Sequence, residues 1–177
     1  MNRSGRAQPR TDHAVEAVAA GEIARRCIEA WQRGATEVCM QGGIHPDYTG
    51  QTYLDILRTV KSATPDMHVH AFSPLEVWTG ALSQGIDLAS YFEQLRDSGL
   101  GTLPGTAAEI LHDEVRDELC ADKLNTAQWV QVMEAAHAAG FKPQPQSCMV
   151  TSTTPITGLR IWFISVSCSV VQMVLQS

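Results

Sequence analysis

The residues best able to do chemistry in this chain stand in three short stretches. In "MHVHAFSP", His68 and His70 are two apart, so on a strand both imidazoles point to one face, with Phe72 beyond them. Such a pair can give two nitrogens to a metal, as HxH does in metal-dependent hydrolase barrels, or it can line a polar interior. His112 and His137 fall on helical patterns and no further His or Asp cluster ends a strand, so polar lining is the better reading and no metal is expected. In "QGGIHP", Gly42 and Gly43 allow a backbone path that side chains would block, and their adjacent amides can receive a polar ligand. A plain turn is the simpler account of a lone glycine pair, and the GxGxxG phosphate spacing is absent. In "PGTAAE", Glu109 occupies the first turn of a helix, where it can pair with the helix dipole or meet a ligand. Glu114 and Glu118, four apart around Arg116, read as a solvated helix face, and Trp78 and Trp129 read as core.

These corners need elements to hold them. "GEIARRCIEAWQRG" puts Ile23, Cys27, Ala30 and Trp31 at helical spacing and ends in Gly34, suited to a left-handed stop. "ATEVCMQGG" reads as a short buried strand. "YLDILRTVKSAT" is a helix with Leu54, Leu57 and Val60 on one side, closed by Pro65, and "MHVHAFSP" follows as a strand. Two helices, "PLEVWTGALSQG" and "LASYFEQLRDSG", lead to a strand in "LGTLPG" and a helix in "TAAEILHDEVRDELC". "NTAQWVQVMEAAHAAG" has Asn125 as N-cap and Gly140 as stop. Alternation of short strands with helices marks parallel βα units, in an open sheet or a barrel. The polar and glycine-rich groups fall just after the strands, where such folds carry their chemistry.

Composition sets further bounds. The chain has 177 residues, whereas an α/β barrel typically takes about 250, so a barrel pattern here implies that part of the barrel is missing. A net charge of −6, with no basic cluster beyond "MNRSGRAQPR", argues against a nucleic-acid groove. The 5 cysteines form no CxxC pair and no secretory signal opens the chain, which fits reduced thiols in a cytoplasmic protein.

At "GATEVCMQGGIHP", "HVHAFSPLEV", "LGTLPGTAAEILHDEVR" and "KLNTAQWVQVMEAAHAAG" the sequence closely resembles the radical S-adenosylmethionine enzymes that make the deazaflavin chromophore. The tyrosine-using half of the FO synthase family is nearest, and the menaquinone-pathway radical enzymes are further off. The resemblance runs from about Gly21 to Pro143 and implies an α/β fold, a partial radical SAM (βα) TIM-type barrel with parallel strands. It implies that Gln41, Gly42 and Gly43, with Glu109, receive S-adenosylmethionine, and that His68, His70, Ser73, Glu76 and Thr106 line the substrate cavity. In the family a [4Fe–4S] cluster cleaves S-adenosylmethionine to a deoxyadenosyl radical, which activates tyrosine so that its hydroxybenzyl part joins a ribityl-diaminouracil. The implied partners are these small molecules and the other FO synthase half. The cluster needs three cysteine thiolates, which the family supplies from a CxxxCxxC loop upstream of the matched region. That loop is absent here, and Cys27 and Cys39, on a helix and inside a strand, do not replace it. The expectation is a piece of the enzyme that is inactive alone. A metal-dependent hydrolase using His68 and His70, or a non-catalytic binding fragment, are the alternatives.

Three segments are expected: a ragged start over 1–20, the partial barrel over 21–143, and a different kind of tail over 144–177. Of the 13 Lys/Arg and 19 Asp/Glu, only Arg160 lies beyond Pro143. The apolar run Ile161 to Leu175 is too short for a membrane span and is broken by serines and Gln172, so no membrane partner is expected. A shifted reading frame lets the codons around Met149 spell a Tyr-Gly-His loop like the family's own. Residues 144–177 therefore read as out-of-frame sequence, with a buried β-hairpin as the alternative.

Overall fold

Residue spacing and helix caps account for most of the elements in the computed structural model, which describes residues 20–42, 45, 47–105, 111, 113, 116–117 and 121–142 and the backbone of 144–145 and 171–174. The order is α1 (Ala20–Gln32), β1 (Glu37–Gln41), α2 (Gly50–Ala63), β2 (His68–Ala71), α3 (Pro74–Gln84), α4 (Leu88–Asp97), β3 (Pro104–Gly105), α5 (Thr126–Ala138), β4 (Gln144–Pro145) and β5 (Val171–Val174). Ser73 caps α3 with Pro74 just inside it, and Asn125 caps α5 by accepting from the Gln128 amide at 2.8 Å. Gly34 (φ 92°) and Gly140 (φ 85°) take the left-handed turn expected after α1 and α5.

Every strand pairing among the described residues is parallel. β1 lies between β2 and β5, in the register Glu37↔His68 and Cys39↔His70 on one side and Val38↔Val171 on the other. β3 pairs with β4, and a single bridge, His70↔Thr102, lays the approach to β3 alongside β2. The fold is thus α/β with a small parallel sheet. Helices pack in succession, α1 on α2, α2 on α3, and α3 and α5 on α4.

One core runs through the sheet and helices. Val38, Met40, Val69 and Ala71 are buried with Leu54, Leu57 and Val60 of α2 and Tyr91, Phe92 and Leu95 of α4. Strand side chains alternate, so the other face of β1 carries Glu37, Cys39 and Gln41, all half-buried. The sheet therefore has an apolar face in the core and a polar face opposite.

Three local expectations need adjusting. The strand expected over "LGTLPG" forms only at Pro104–Gly105 and through the Thr102 bridge. Trp31 is 38% exposed although Ile23 and Cys27 of the same helix are buried, because it lies at the edge of the apolar stripe. Arg116 is 2% exposed, not solvated, because its guanidinium donates to the Leu124 carbonyl just before the α5 cap. Glu114, Glu118 and most of the "TAAEILHDEVRDELC" helix lie outside the described residues. So does the 144–177 segment apart from the β4 and β5 backbone.

Candidate functional site

Two linked clusters form where the polar face of the sheet meets the loops after β1 and β2. The first is organised by Glu76. As the third residue of α3 it completes a capping box, its Oε2 accepting from the Ser73 amide and from Ser73 Oγ, both at 2.7 Å. Its other oxygen, Oε1, accepts from the Gly42 amide at 2.6 Å. One carboxylate that is 1% exposed thus ties the end of β1 to the start of α3, near the positive end of that helix.

Side chains close around this corner at van der Waals distance. A Cβ on Gly42 would lie 3.4 Å from Glu76 Oε1 and 3.4 Å from Tyr48 Cε2. Aromatic rings wall it, with Tyr48 edge-on to Tyr53 and Tyr53 against Phe72 at 4.8 Å between ring centres. Phe72 adopts φ 57°, a left-handed backbone that costs a non-glycine residue on the order of 1 kcal/mol. Burial pushes the Tyr53 phenol far above its usual range, and the Glu76 charge adds to the shift.

The second cluster is the histidine pair. As the spacing requires, His68 and His70 share a face, and both reach one hydroxyl: Thr102 Oγ1 lies 2.8 Å from His68 Nε2 and 2.7 Å from His70 Nδ1. Glu37 Oε2 stands 3.8 Å from His68 Nε2. His70 is 7% exposed, and burial holds its pKa below the usual imidazole value, with the His68 charge acting the same way and Glu37 opposing.

That shift sets a pH dependence. The unfolded imidazole takes a proton as pH falls through its ordinary value of 6.5, whereas folded His70 resists until lower pH. Between those two points the unfolded chain binds more protons, so stability falls on acidification. Urea unfolding of the wild type and His70→Asn, compared across about pH 5 to pH 8, is expected to show a shallower acid loss in the variant.

The structure brings Gln41, Gly42, Ser73 and Glu76 to one corner and His68 and His70 to the adjoining polar face. Gly43, Thr106 and Glu109 lie outside the described residues. Sequence reading missed Glu37 and Thr102. The alternation in "EVCMQ" signals that Glu37, Cys39 and Gln41 share a face, but nothing local in "LGTLPG" marks Thr102 as a partner of two histidines.

Donor sets decide which groups fit here. Among the described residues no three His, Cys, Asp or Glu side chains gather to hold a metal ion. Cys27 is buried in the core and Cys39 lies on the polar face of β1, and burial raises both thiols. These two cysteines do not fit an iron–sulfur cluster, which takes three neighbouring thiolates. At Gln41 and Gly42 the Gly42 amide is already taken by Glu76, with Tyr48 and Tyr53 close beside it, so a ligand there would meet the carboxylate and the rings. Among the described residues no helix is long and apolar enough to cross a membrane.

No family profile matches the chain. Curated proteins do. The FO synthase of Streptomyces coelicolor is 49% identical over 136 residues, covering 77% of this chain and 16% of that protein. The FO synthase of Mycobacterium tuberculosis is 46% identical over the same length and shares. The 5-amino-6-(D-ribitylamino)uracil–L-tyrosine 4-hydroxyphenyl transferase of Methanocaldococcus jannaschii is 46% identical over 123 residues, 68% of this chain and 34% of that protein. The chain thus spans 16% of the length of the FO synthases it matches. Identity of this order over 136 residues makes the chain a homologue of one region of the FO synthases.

Proposed function

We propose that this chain is a piece of a deazaflavin-forming radical SAM enzyme, the half that joins the hydroxybenzyl part of tyrosine to a ribityl-diaminouracil. The observation that carries this reading is the 46% identity over 123 residues to a protein named for a hydroxyphenyl transfer from tyrosine to that uracil. Parallel strands with helices on one side support an arc of a βα barrel, with Glu37, Cys39, Gln41, His68, His70 and Thr102 toward its cavity. Gln41, Gly42 and Gly43 would hold S-adenosylmethionine, which when bound supplies the group that activates tyrosine. Glu109 would join them, and Ser73, Glu76 and Thr106 would complete the cavity wall. The protein would act in the cytoplasm, with the other FO synthase half as partner.

Because Cys27 and Cys39 do not fit the cluster, the function proposed for the described residues is binding. Equilibrium dialysis of the full chain is expected to show retention of S-adenosylmethionine or the ribityl-diaminouracil. Anaerobic mixtures of both with tyrosine and a reductant are expected to give no coupled product. Failure to retain either molecule at millimolar concentration overturns the proposal, as does stoichiometric zinc without sulfide, which would favour a hydrolase.

Spelling Tyr-Gly-His one frame away requires TGT at Cys148 and a final C in the Val150 codon. The coding DNA is expected to carry both, and another base at either place removes the out-of-frame account of 144–177.

A further inference from the structure

Thr102 stands between the two histidines, and a hydroxyl can serve two partners only in restricted ways. It has one proton and two lone pairs, so it donates to one ring and accepts from the other, or accepts from both. The two rings therefore cannot both present a bare nitrogen to Oγ1. When His70 Nδ1 accepts, His68 Nε2 must carry a proton; when His70 Nδ1 donates, His68 Nε2 is free to accept.

The backbone holds the hydroxyl in place. The Thr102 amide donates to the Val69 carbonyl at 3.2 Å, and its carbonyl accepts from the Ala71 amide at 3.1 Å. Beside it, Gly101 makes room for the imidazole, since a Cβ there would collide with the His68 ring. The rings differ in access: the His68 side chain is 40% exposed and faces Glu37, whereas His70 is 7% exposed. Glu37 and Cys39 of β1 stand in register with the two histidines, and the Glu76 charge on α3 reaches Cys39.

We propose that Thr102 is a positioning residue that couples the exposed His68 to the buried His70, its hydroxyl setting the His70 tautomer according to whether His68 Nε2 carries a proton. The same contact offers a proton a route inward, against the burial that disfavours charge on His70. The Nε2–H bond of protonated His68 breaks as an O–H bond forms on Oγ1, and the proton already on Oγ1 moves to His70 Nδ1. Charge and protons balance without a co-reactant, and the Nε2–H of His70 becomes the acid on the far side of the ring. A role in catalysis rests on the cavity reading above, but the coupling is measurable without turnover.

The test is a titration of the full chain labelled with nitrogen-15 in its imidazoles, followed by long-range proton–nitrogen spectra over about pH 5 to pH 8. In the wild type both His70 nitrogens are expected to shift in step with His68. In Thr102→Val, which keeps the branched shape, they are expected to stop following His68, and Thr102→Ser is expected to restore the coupling. Undiminished tracking in Thr102→Val overturns the proposal. Should the valine variant fail to fold, His68→Gln provides the second test: the His70 response at the His68 midpoint must disappear, and its persistence overturns the proposal. Loss of ligand binding in dialysis would refute the cavity reading and leave this coupling standing.

Discussion

Replacing Glu76 with alanine is expected to lower the unfolding free energy by about 3 kcal/mol, the largest effect of any single polar change at the site. The change strips partners from the Gly42 amide, the Ser73 amide and Ser73 Oγ together. A buried donor left without a partner costs about 1–3 kcal/mol, and no water reaches a group that is 1% exposed without opening the corner. Glu76→Gln should cost less, about 2 kcal/mol, since it keeps one oxygen acceptor but turns a donor toward an amide that also donates. Urea unfolding of the full chain measures both. The glutamine variant has a second signature: without the carboxylate charge, the Tyr53 and Tyr91 phenols should ionise at lower pH, though burial remains their main perturbation. An unchanged urea midpoint in Glu76→Ala would mean that the brace between β1 and α3 contributes little.

Gly50→Ala is expected to destabilise the chain by about 2 kcal/mol despite alanine's better helix propensity. A Cβ on Gly50 would lie 2.5 Å from the Gly80 carbonyl oxygen and 2.8 Å from Gln84 Nε2. The first clash is with backbone, so it is relieved only by moving α2 and α3 apart. Hydrogen bonds lock that crossing, with the Gly50 amide donating to Ser83 Oγ at 2.7 Å and Tyr91 Oη donating to the Gly50 carbonyl at 3.1 Å. Alanine in a helix gains up to about 1 kcal/mol over glycine, and overpacking costs about 1–3 kcal/mol, so the clash wins. Gly21→Ala is the control, because a Cβ there meets nothing within 4 Å. It should be neutral or slightly stabilising, and opposite signs in thermal melts of the two variants would establish that crowding is the cause.

Much of the fold was legible because its determinants are local. The spacing of Leu54, Leu57 and Val60 defines the buried side of α2, and all three are buried. Asn125 caps α5 because its side chain reaches an amide three residues on. The pair His68 and His70 shares a face because strand side chains alternate, which leaves both imidazoles within reach of one hydroxyl once the Thr102 bridge is in place. Arg116 shows the complementary case: the carbonyl it serves belongs to Leu124, outside its own helix, so no local spacing marks it as buried.

The sequence by itself determined the order of elements from α1 to β3, the shared face of His68 and His70, and the resemblance that the relatives bear out. Only tertiary structure decided that Glu76 reaches Gly42 across 34 residues, that Thr102 serves His68 and His70 from 34 and 32 residues away, and that Gly50 touches Gly80. Caps and periodicities act within one or two turns of chain, so they can be read along it. Contacts between segments depend on parallel register and on how closely two helices approach, and those are fixed when the whole core packs.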